Sequence, residues 1–282
     1  MRHLNLGRTL LKNELELNRL IELNLIAGEK AKAANASQVA ANYLDLALEL
    51  LPPLYWQNHY ALIHAVFFQA SEVHYLNSNH IYAEQLGNII LSQAITVFER
   101  VQVYKNKIHT HIAQNEMQLA VDLGLHALKL LDVELPNNFT DVYEYTHCLD
   151  IKSKNVKSLK NLPTMGDRSA ILAMEVLTTI IPPVYIVRPK LFSVVVSKMI
   201  ELCLRYGNCA LSAYAYSLYA LLVCAAGNVE TGYVLGKLAL ELQEKFDARE
   251  IKSKVDFIFN NMIRHWREPA ASTLDVFLQG ID

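Results

Sequence analysis

Three stretches of this chain close almost alike: Ala47-Leu-Glu-Leu-Leu51, Ala127-Leu-Lys-Leu-Leu131 and Ala239-Leu-Glu-Leu242. Seven residues before each alanine stands another small residue, Ala40, Ala120 or Gly232. Further back, Gly28, Ser71 and Ala220 sit in the middle of the preceding apolar segment, and turn residues part the two segments at Asn35, Ser78-Asn79, Asn115 and Gly227-Asn228. Small side chains at helical spacing let neighbouring helices approach closely, so the pattern demands helix pairs joined by short turns and stacked on one another. Composition agrees: leucine occurs 44 times, whereas glycine occurs 10 times and proline 8 times, which favours straight-chain helix formers over breakers. No segment alternates in the manner of a strand bounded by hairpin turns. The periodicity predicts helices over 2–11, 14–34, 37–51, 56–77, 80–94, 97–113, 116–132, 139–149, 168–181, 190–206, 209–226, 229–246, 248–267 and 271–280.

This arrangement resembles the tetratricopeptide repeat, whose period is ~34 residues. The resemblance implies an all-α fold, a right-handed helix-turn-helix superhelix. Here Ala40 and Ala83 are 43 positions apart, Ala83 and Ala120 are 37 apart, and Ile90 stands where a small residue is expected, so the array is irregular. An N-terminal helical block is expected over 1–135 and a C-terminal block over 168–282. Between them, 136–167 reads as an irregular joint, opened by Pro136-Asn137-Asn138, closed by Pro163-Thr-Met-Gly166, and carrying Lys152, Lys154, Lys157 and Lys160. Pro182-Pro183 is expected to end its helix, since neither residue donates to the ladder, leaving Val184-Tyr-Ile-Val187 as an apolar connector.

Charge and motif exclude several functions. With 26 Lys+Arg against 28 Asp+Glu, the chain has no general attraction for nucleic acid or an anionic membrane. The uncharged stretch between Arg205 and Glu230 places Tyr214, Tyr216 and Tyr219 in its interior, where a membrane span would put aromatics at its ends, so it reads as a buried helix. Cys148, Cys203, Cys209 and Cys224 form no C-x-x-C pair, which fits reduced thiols in a cytoplasmic protein. Gly232-Tyr-Val-Leu-Gly236-Lys237-Leu238 is one residue short of a phosphate-binding loop and lacks its hydroxyl. His59/His64 and His109/His111 share no helix face, and no H-E-x-x-H is present. No kinase or hydrolase signature occurs. The expectation is a chain without catalysis, metal or cofactor.

Three further blocks narrow the resemblance: Leu20-Ile-Glu-Leu-Asn-Leu-Ile-Ala-Gly-Glu-Lys-Ala-Lys-Ala34, Leu204-Arg-Tyr-Gly-Asn-Cys-Ala-Leu-Ser-Ala-Tyr-Ala-Tyr216 and Phe259-Asn-Asn-Met-Ile-Arg-His-Trp-Arg267. They are similar to the helical-repeat segment of very large bacterial signalling kinases of a type common in cyanobacteria. There the segment lies between an AAA/STAND-type ATPase, itself preceded by a serine/threonine kinase domain, and GAF and often histidine-kinase domains. The resemblance implies a regulatory interaction module that relays signals between those domains; the alternative is an effector-sensing domain that binds a small molecule through the cluster Tyr214, Tyr216, Tyr219 and Tyr233. Mapped onto the repeat, the groove-facing positions are Glu22, Glu29, Lys32, Phe68, Glu72, Tyr75, Gln102, Lys105, His109 and Tyr214. The partners implied are the flanking ATPase, kinase and GAF domains or other proteins. Neither end carries a clear cap, as in a segment of a longer protein, and the apolar stripes Leu4, Leu11, Leu15 and Leu274, Phe277, Leu278 are expected to support a homodimer.

Overall fold

A computed structural model describes residues 2–11, 13–52, 55–135, 156–269 and 273. Among these residues the chain is all-α, with a single isolated bridge between Thr164 and Asn208 in place of any strand. It divides into two compact units, Met1–Glu116 and Met117–Asp282.

The first unit holds α1 (Arg2–Leu6), a short 3-10 turn at Arg8–Leu10, α2 (Glu14–Ala33), α3 (Ser37–Glu49), α4 (Tyr55–Asn58), α5 (Tyr60–Leu76), α6 (His80–Gln93) and α7 (Val97–Ala113). Helices α2 and α3 pack as one hairpin and α5 and α6 as another, with α5 also packing against α2, α3 and α7. Its core centres on Ile21, Leu44, Ile63 and Val66, each at most 1% exposed. The second unit holds α8 (Met117–Leu130), α9 (Val156–Leu159), α10 (Arg168–Val187), α11 (Pro189–Tyr206), α12 (Ser212–Ala225), α13 (Val229–Lys245) and α14 (Lys252–Phe257), the last followed by a π-helical turn over Ile258–Ile263. There α8 packs on α10, α10 on α11, α11 on α12, and α12 most closely on α13.

Several ends of these helices have a local chemical cause. Asn13, Asp167 and Asn228 accept from the backbone N–H three residues on, at 2.8, 2.8 and 3.2 Å, and Thr96 with Glu99 forms a reciprocal capping box. At the C-termini one device recurs. Asn35, Ser78, Asn115, Asp132, Gly227 and Asp247 all adopt positive φ. The next residue donates its N–H to the carbonyl five positions back, as Ala36 does to Ala31 at 2.9 Å, Asn79 to His74 at 2.9 Å and Asn228 to Val223 at 3.1 Å. This is the Schellman closure, which satisfies carbonyls the helix would otherwise leave bare. The turn residues read from the sequence are therefore the left-handed residues of the hairpins. A side chain in that conformation costs free energy that glycine avoids. Ser78→Gly is accordingly expected to raise stability by about 1 kcal/mol, measured as a higher denaturant midpoint at unchanged slope.

The small residues meet where close approach requires them. Ser71 and Ala83, and Ala220 and Gly232, are buried pairs on facing helices, while Gly28 and Ala40 are both buried in their hairpin and a Cβ at Gly28 would meet the Leu44 side chain at 2.7 Å. The Ser71 hydroxyl donates to the Ala83 carbonyl at 3.1 Å. A Cβ at Gly232 would lie 2.8 Å from the Ala220 carbonyl oxygen.

Several expectations need correction. Pro182-Pro183 does not end its helix: α10 continues to Val187, so Val184–Val187 is its last turn and not a connector. Ile180, Ile181, Pro183 and Val184 stay buried through the double proline, and that burial outweighs the missing ladder bonds. The expected helix over 2–11 is interrupted at Gly7, and α12 begins at Ser212 rather than 209. The span 248–267 is not one α-helix, because the Asn260 side chain bonds back to the Asp256 carbonyl at 2.9 Å and the ladder widens there. Helix α8 packs on α10 in the second unit, whereas the sequence groups it with the N-terminal block. The expected helices 139–149 and 271–280 lie outside the described residues, apart from Thr273, as do Cys148 and Leu274, Phe277 and Leu278. By length and composition α10 is apolar enough to cross a bilayer, with a mean hydropathy of 1.9, and 61% of that window is buried inside the structure. That burial is what a core helix shows.

Candidate interaction surface

The first helices of the first unit's hairpins, α2 and α5, together with α7, carry the residues that the repeat mapping singles out. Glu22, Glu29 and Lys32 lie on α2, Phe68, Glu72 and Tyr75 on α5, and Gln102, Lys105 and His109 on α7. Glu29 is exposed and the other eight are half-buried. Two contacts tie the three helices together along this face. Lys32 Nζ donates to Glu72 Oε2 at 2.6 Å and to Gln69 Oε1 at 2.6 Å, joining α2 to α5. The Tyr75 ring lies 6.2 Å from that of His109, joining α5 to α7. The Lys32–Glu72 pair keeps each side chain about a quarter exposed, 28% and 27%. It is worth no more than about 1 kcal/mol at such exposure; its effect is to fix where the charges point. Glu22 pairs within its own helix with Arg19 at 2.8 Å.

Tyr214 does not join this group. It lies in the second unit on α12, 5% exposed, with Lys254 Nζ 5.6 Å from its ring centroid. Burial pushes the hydroxyls of both Tyr214 and Tyr219 up to about 12, and that of Tyr216 still higher, with the Cys203 thiol adding to the rise. These three tyrosines are core residues of α12. A phenol that the fold keeps neutral and packed is an anchor of the helix.

The structure adds Trp56, Tyr60 and His64, which the repeat mapping passes over, in line with Phe68, which it names. Trp56, Tyr60, His64 and Phe68 recur every four residues along α4 and α5. Trp56 and Tyr60 lie 5.7 Å apart, Tyr60 and His64 5.9 Å, and His64 and Phe68 6.1 Å with planes 8° from parallel. The strip ends in a polar knot. The Tyr60 hydroxyl donates to Glu99 Oε2 at 3.0 Å, and the same carboxylate receives the backbone N–H groups of Ile95 and Thr96 at 3.0 and 2.9 Å. Burial pushes the Glu99 carboxyl up, but these donors outweigh it and hold the group below the usual carboxylate range. Burial lowers the His64 imidazole, and the Glu99 charge offsets only part of that. That lowering favours the neutral form of the stacked ring. The four-residue spacing was the available signal, since i, i+4 positions share a helix face.

A groove of about 800 Å³ opens beside this strip, lined by Leu4, Leu11, Leu15, Leu23 and Leu62 together with polar residues that include Glu16, Arg19 and Glu22. It includes the N-terminal apolar stripe expected to seek a partner. Among the described residues no group of three or more His, Cys, Asp or Glu is placed to hold a metal ion.

No family model matches the chain. Its sequence is 20% identical, over an alignment of 323 positions, to Hybrid signal transduction histidine kinase G of Dictyostelium discoideum. The alignment takes in 99% of this chain but 9% of that protein, so what is similar is one short stretch of a far longer protein.

Proposed function

We propose that this chain is a non-catalytic, TPR-like interaction module that relays signals within a multidomain signalling kinase, docking a flanking ATPase, kinase or GAF domain on the α2–α5–α7 face. The observation that carries the reading is the face itself: three packed helices fixed to one another by Lys32–Glu72 and Tyr75–His109, presenting half-buried aromatic rings among charges of both signs. Half-buried aromatics framed by ordered polar groups are what a protein partner anchors on, and helix-in-groove docking uses the same grammar. The distant similarity to a stretch of a hybrid histidine kinase supports placement in a signalling chain. In this reading the work of the module is cytoplasmic, needs neither cofactor nor metal, and allows two copies to pair through the leucine-lined groove.

The competing role, an effector sensor built on Tyr214, Tyr216, Tyr219 and Tyr233, has less support. The first three are at most 5% exposed, and Tyr233 is engaged by Glu268 and lies 4.9 Å under the Arg267 guanidinium. Phe68→Ala combined with Tyr75→Ala is expected to weaken capture of the adjoining ATPase or kinase domain at least about tenfold, the cost of two anchors. Unchanged capture by a doubly substituted chain whose circular dichroism is native would overturn the docking face.

A further inference from the structure

Residues 159–165 of the second unit are stitched to the turn between α11 and α12. The Asn208 N–H donates to the Pro163 carbonyl at 2.8 Å, the Met165 N–H to the Asn208 carbonyl at 2.8 Å, and Asn208 Nδ2 to the Leu159 carbonyl at 2.7 Å. Asn208 is fully buried, so these bonds hold the strap without competition from water. On either side of this turn stand Cys203, in the last turn of α11, and Cys209. Both sulfurs converge on one hydroxyl. Ser212 Oγ lies 3.1 Å from Cys203 Sγ and 3.8 Å from Cys209 Sγ, and it also accepts the Cys209 N–H at 2.9 Å. The sulfurs therefore cannot be farther apart than those first two distances laid end to end, with the Ser212 hydroxyl between them.

We propose that Cys203 and Cys209 form a disulfide when the protein meets a peroxide, and that closing this bond loosens the grip of Asn208 on residues 159–165. Cys209 reacts first, because it is partly exposed while Cys203 is buried. Its thiolate attacks one peroxide oxygen; an S–O bond forms, the O–O bond breaks, and hydroxide leaves and takes up a proton as water. Cys203 then gives up its thiol proton and attacks the sulfur of the Cys209 sulfenic acid. The S–S bond forms, the S–O bond breaks, and a second water leaves. Two thiols lose two electrons and peroxide gains them, so no further reactant is needed. Burial pushes the Cys203 thiol up to about 12, which keeps it from reacting with peroxide on its own and leaves the first attack to Cys209.

The consequence follows from where the ring closes. A disulfide holds its sulfurs at about 2.05 Å, and the loop it closes contains Gly207 and Asn208. Gly207 already has φ +99°, and its α-carbon faces the Pro163 carbonyl so closely that a Cβ would lie 2.1 Å from that oxygen. A turn with so little slack cannot shorten between 203 and 209 without shifting the residue that holds the strap.

The test uses the full chain under native conditions, treated with hydrogen peroxide and then alkylated, digested and weighed. The expected product is a Cys203–Cys209 linked peptide two hydrogens lighter than its reduced form, reversed by dithiothreitol. Cys209→Ser should abolish it and, being partly exposed, should keep the fold. Hydrogen exchange at the amides of Met165 and Asn208 should quicken about tenfold or more in the oxidised wild type but not in the serine variant. Cys209 carried to sulfinic acid with Cys203 still free, or linkage of either residue to Cys148, would overturn the pairing. A formed disulfide with unchanged exchange at both amides would overturn the release of the strap.

Discussion

Gly207→Ala is expected to cost about 4 kcal/mol in the second unit. Two effects add at this position. The backbone has φ +99° and ψ −172°, a region essentially reserved for glycine, and the new methyl carbon would lie 2.1 Å from the Pro163 carbonyl oxygen and 2.9 Å from its carbon. The obstacle is backbone of the strap, which has no rotamer to change; it must be displaced, and with it the three hydrogen bonds of Asn208. Gly227→Ala supplies the control. It shares the positive φ, +89°, but a Cβ there meets nothing within 4 Å, so only the conformational cost of about 1–2 kcal/mol applies. Chemical denaturation followed through the second unit's transition separates the two. Equal losses at both sites would show that contact with the strap carries no weight.

The second large effect reverses the sign of a familiar substitution. In an exposed helix interior, Gly→Ala gains about 1 kcal/mol. At Gly232 in α13 the added Cβ would lie 2.3 Å from Cys224 Sγ and 2.8 Å from the Ala220 carbonyl oxygen. The sulfur can turn away, whereas the carbonyl belongs to the facing helix, so α12 and α13 must part. Gly232→Ala is expected to lose about 2–3 kcal/mol net of its propensity gain. Gly87→Ala in α6 should be neutral or stabilising by up to about 1 kcal/mol, because its Cβ would meet Val103 Cγ1 at an ordinary 3.4 Å. A stabilised Gly232→Ala would mean that the α12–α13 distance is not set by that residue.

The hairpins were legible because their information is local. Asn35, Ser78, Asn115 and Gly227 announce turns by their tolerance of positive φ, and Ala220 with Gly232 announces a close crossing by size alone. The reading failed where a distant burial decides. The double proline looks like a terminator in isolation, yet Ile180, Ile181 and Val184 are core residues on both sides of it. The face was legible in part. Lys32 and Glu72 were named without knowledge that they pair, since 40 positions separate them. Tyr214 was named with them because repeat phase places it on a first helix, but phase does not report that the helix is buried all round. The Trp56–Tyr60–His64–Phe68 strip was readable from its four-residue spacing, yet only Phe68 entered the repeat mapping, because that mapping follows repeat phase and not the spacing along one helix face. The convergence of Cys203 and Cys209 on Ser212 needed coordinates, since the intervening turn at Gly207 reverses the chain.

The strap at 159–165 also sets an order of events. Each Schellman-closed hairpin joins neighbours in sequence, so its loop-closure entropy is small and it can form early. The bond from Asn208 Nδ2 to the Leu159 carbonyl spans 49 positions, and its partners exist only after α11 and α12 have met at their turn. The strap is therefore recruited last during folding. By the same reasoning it opens first, below the threshold for global unfolding. Among the described residues, a protease that samples the native population is expected to meet this segment before any hairpin.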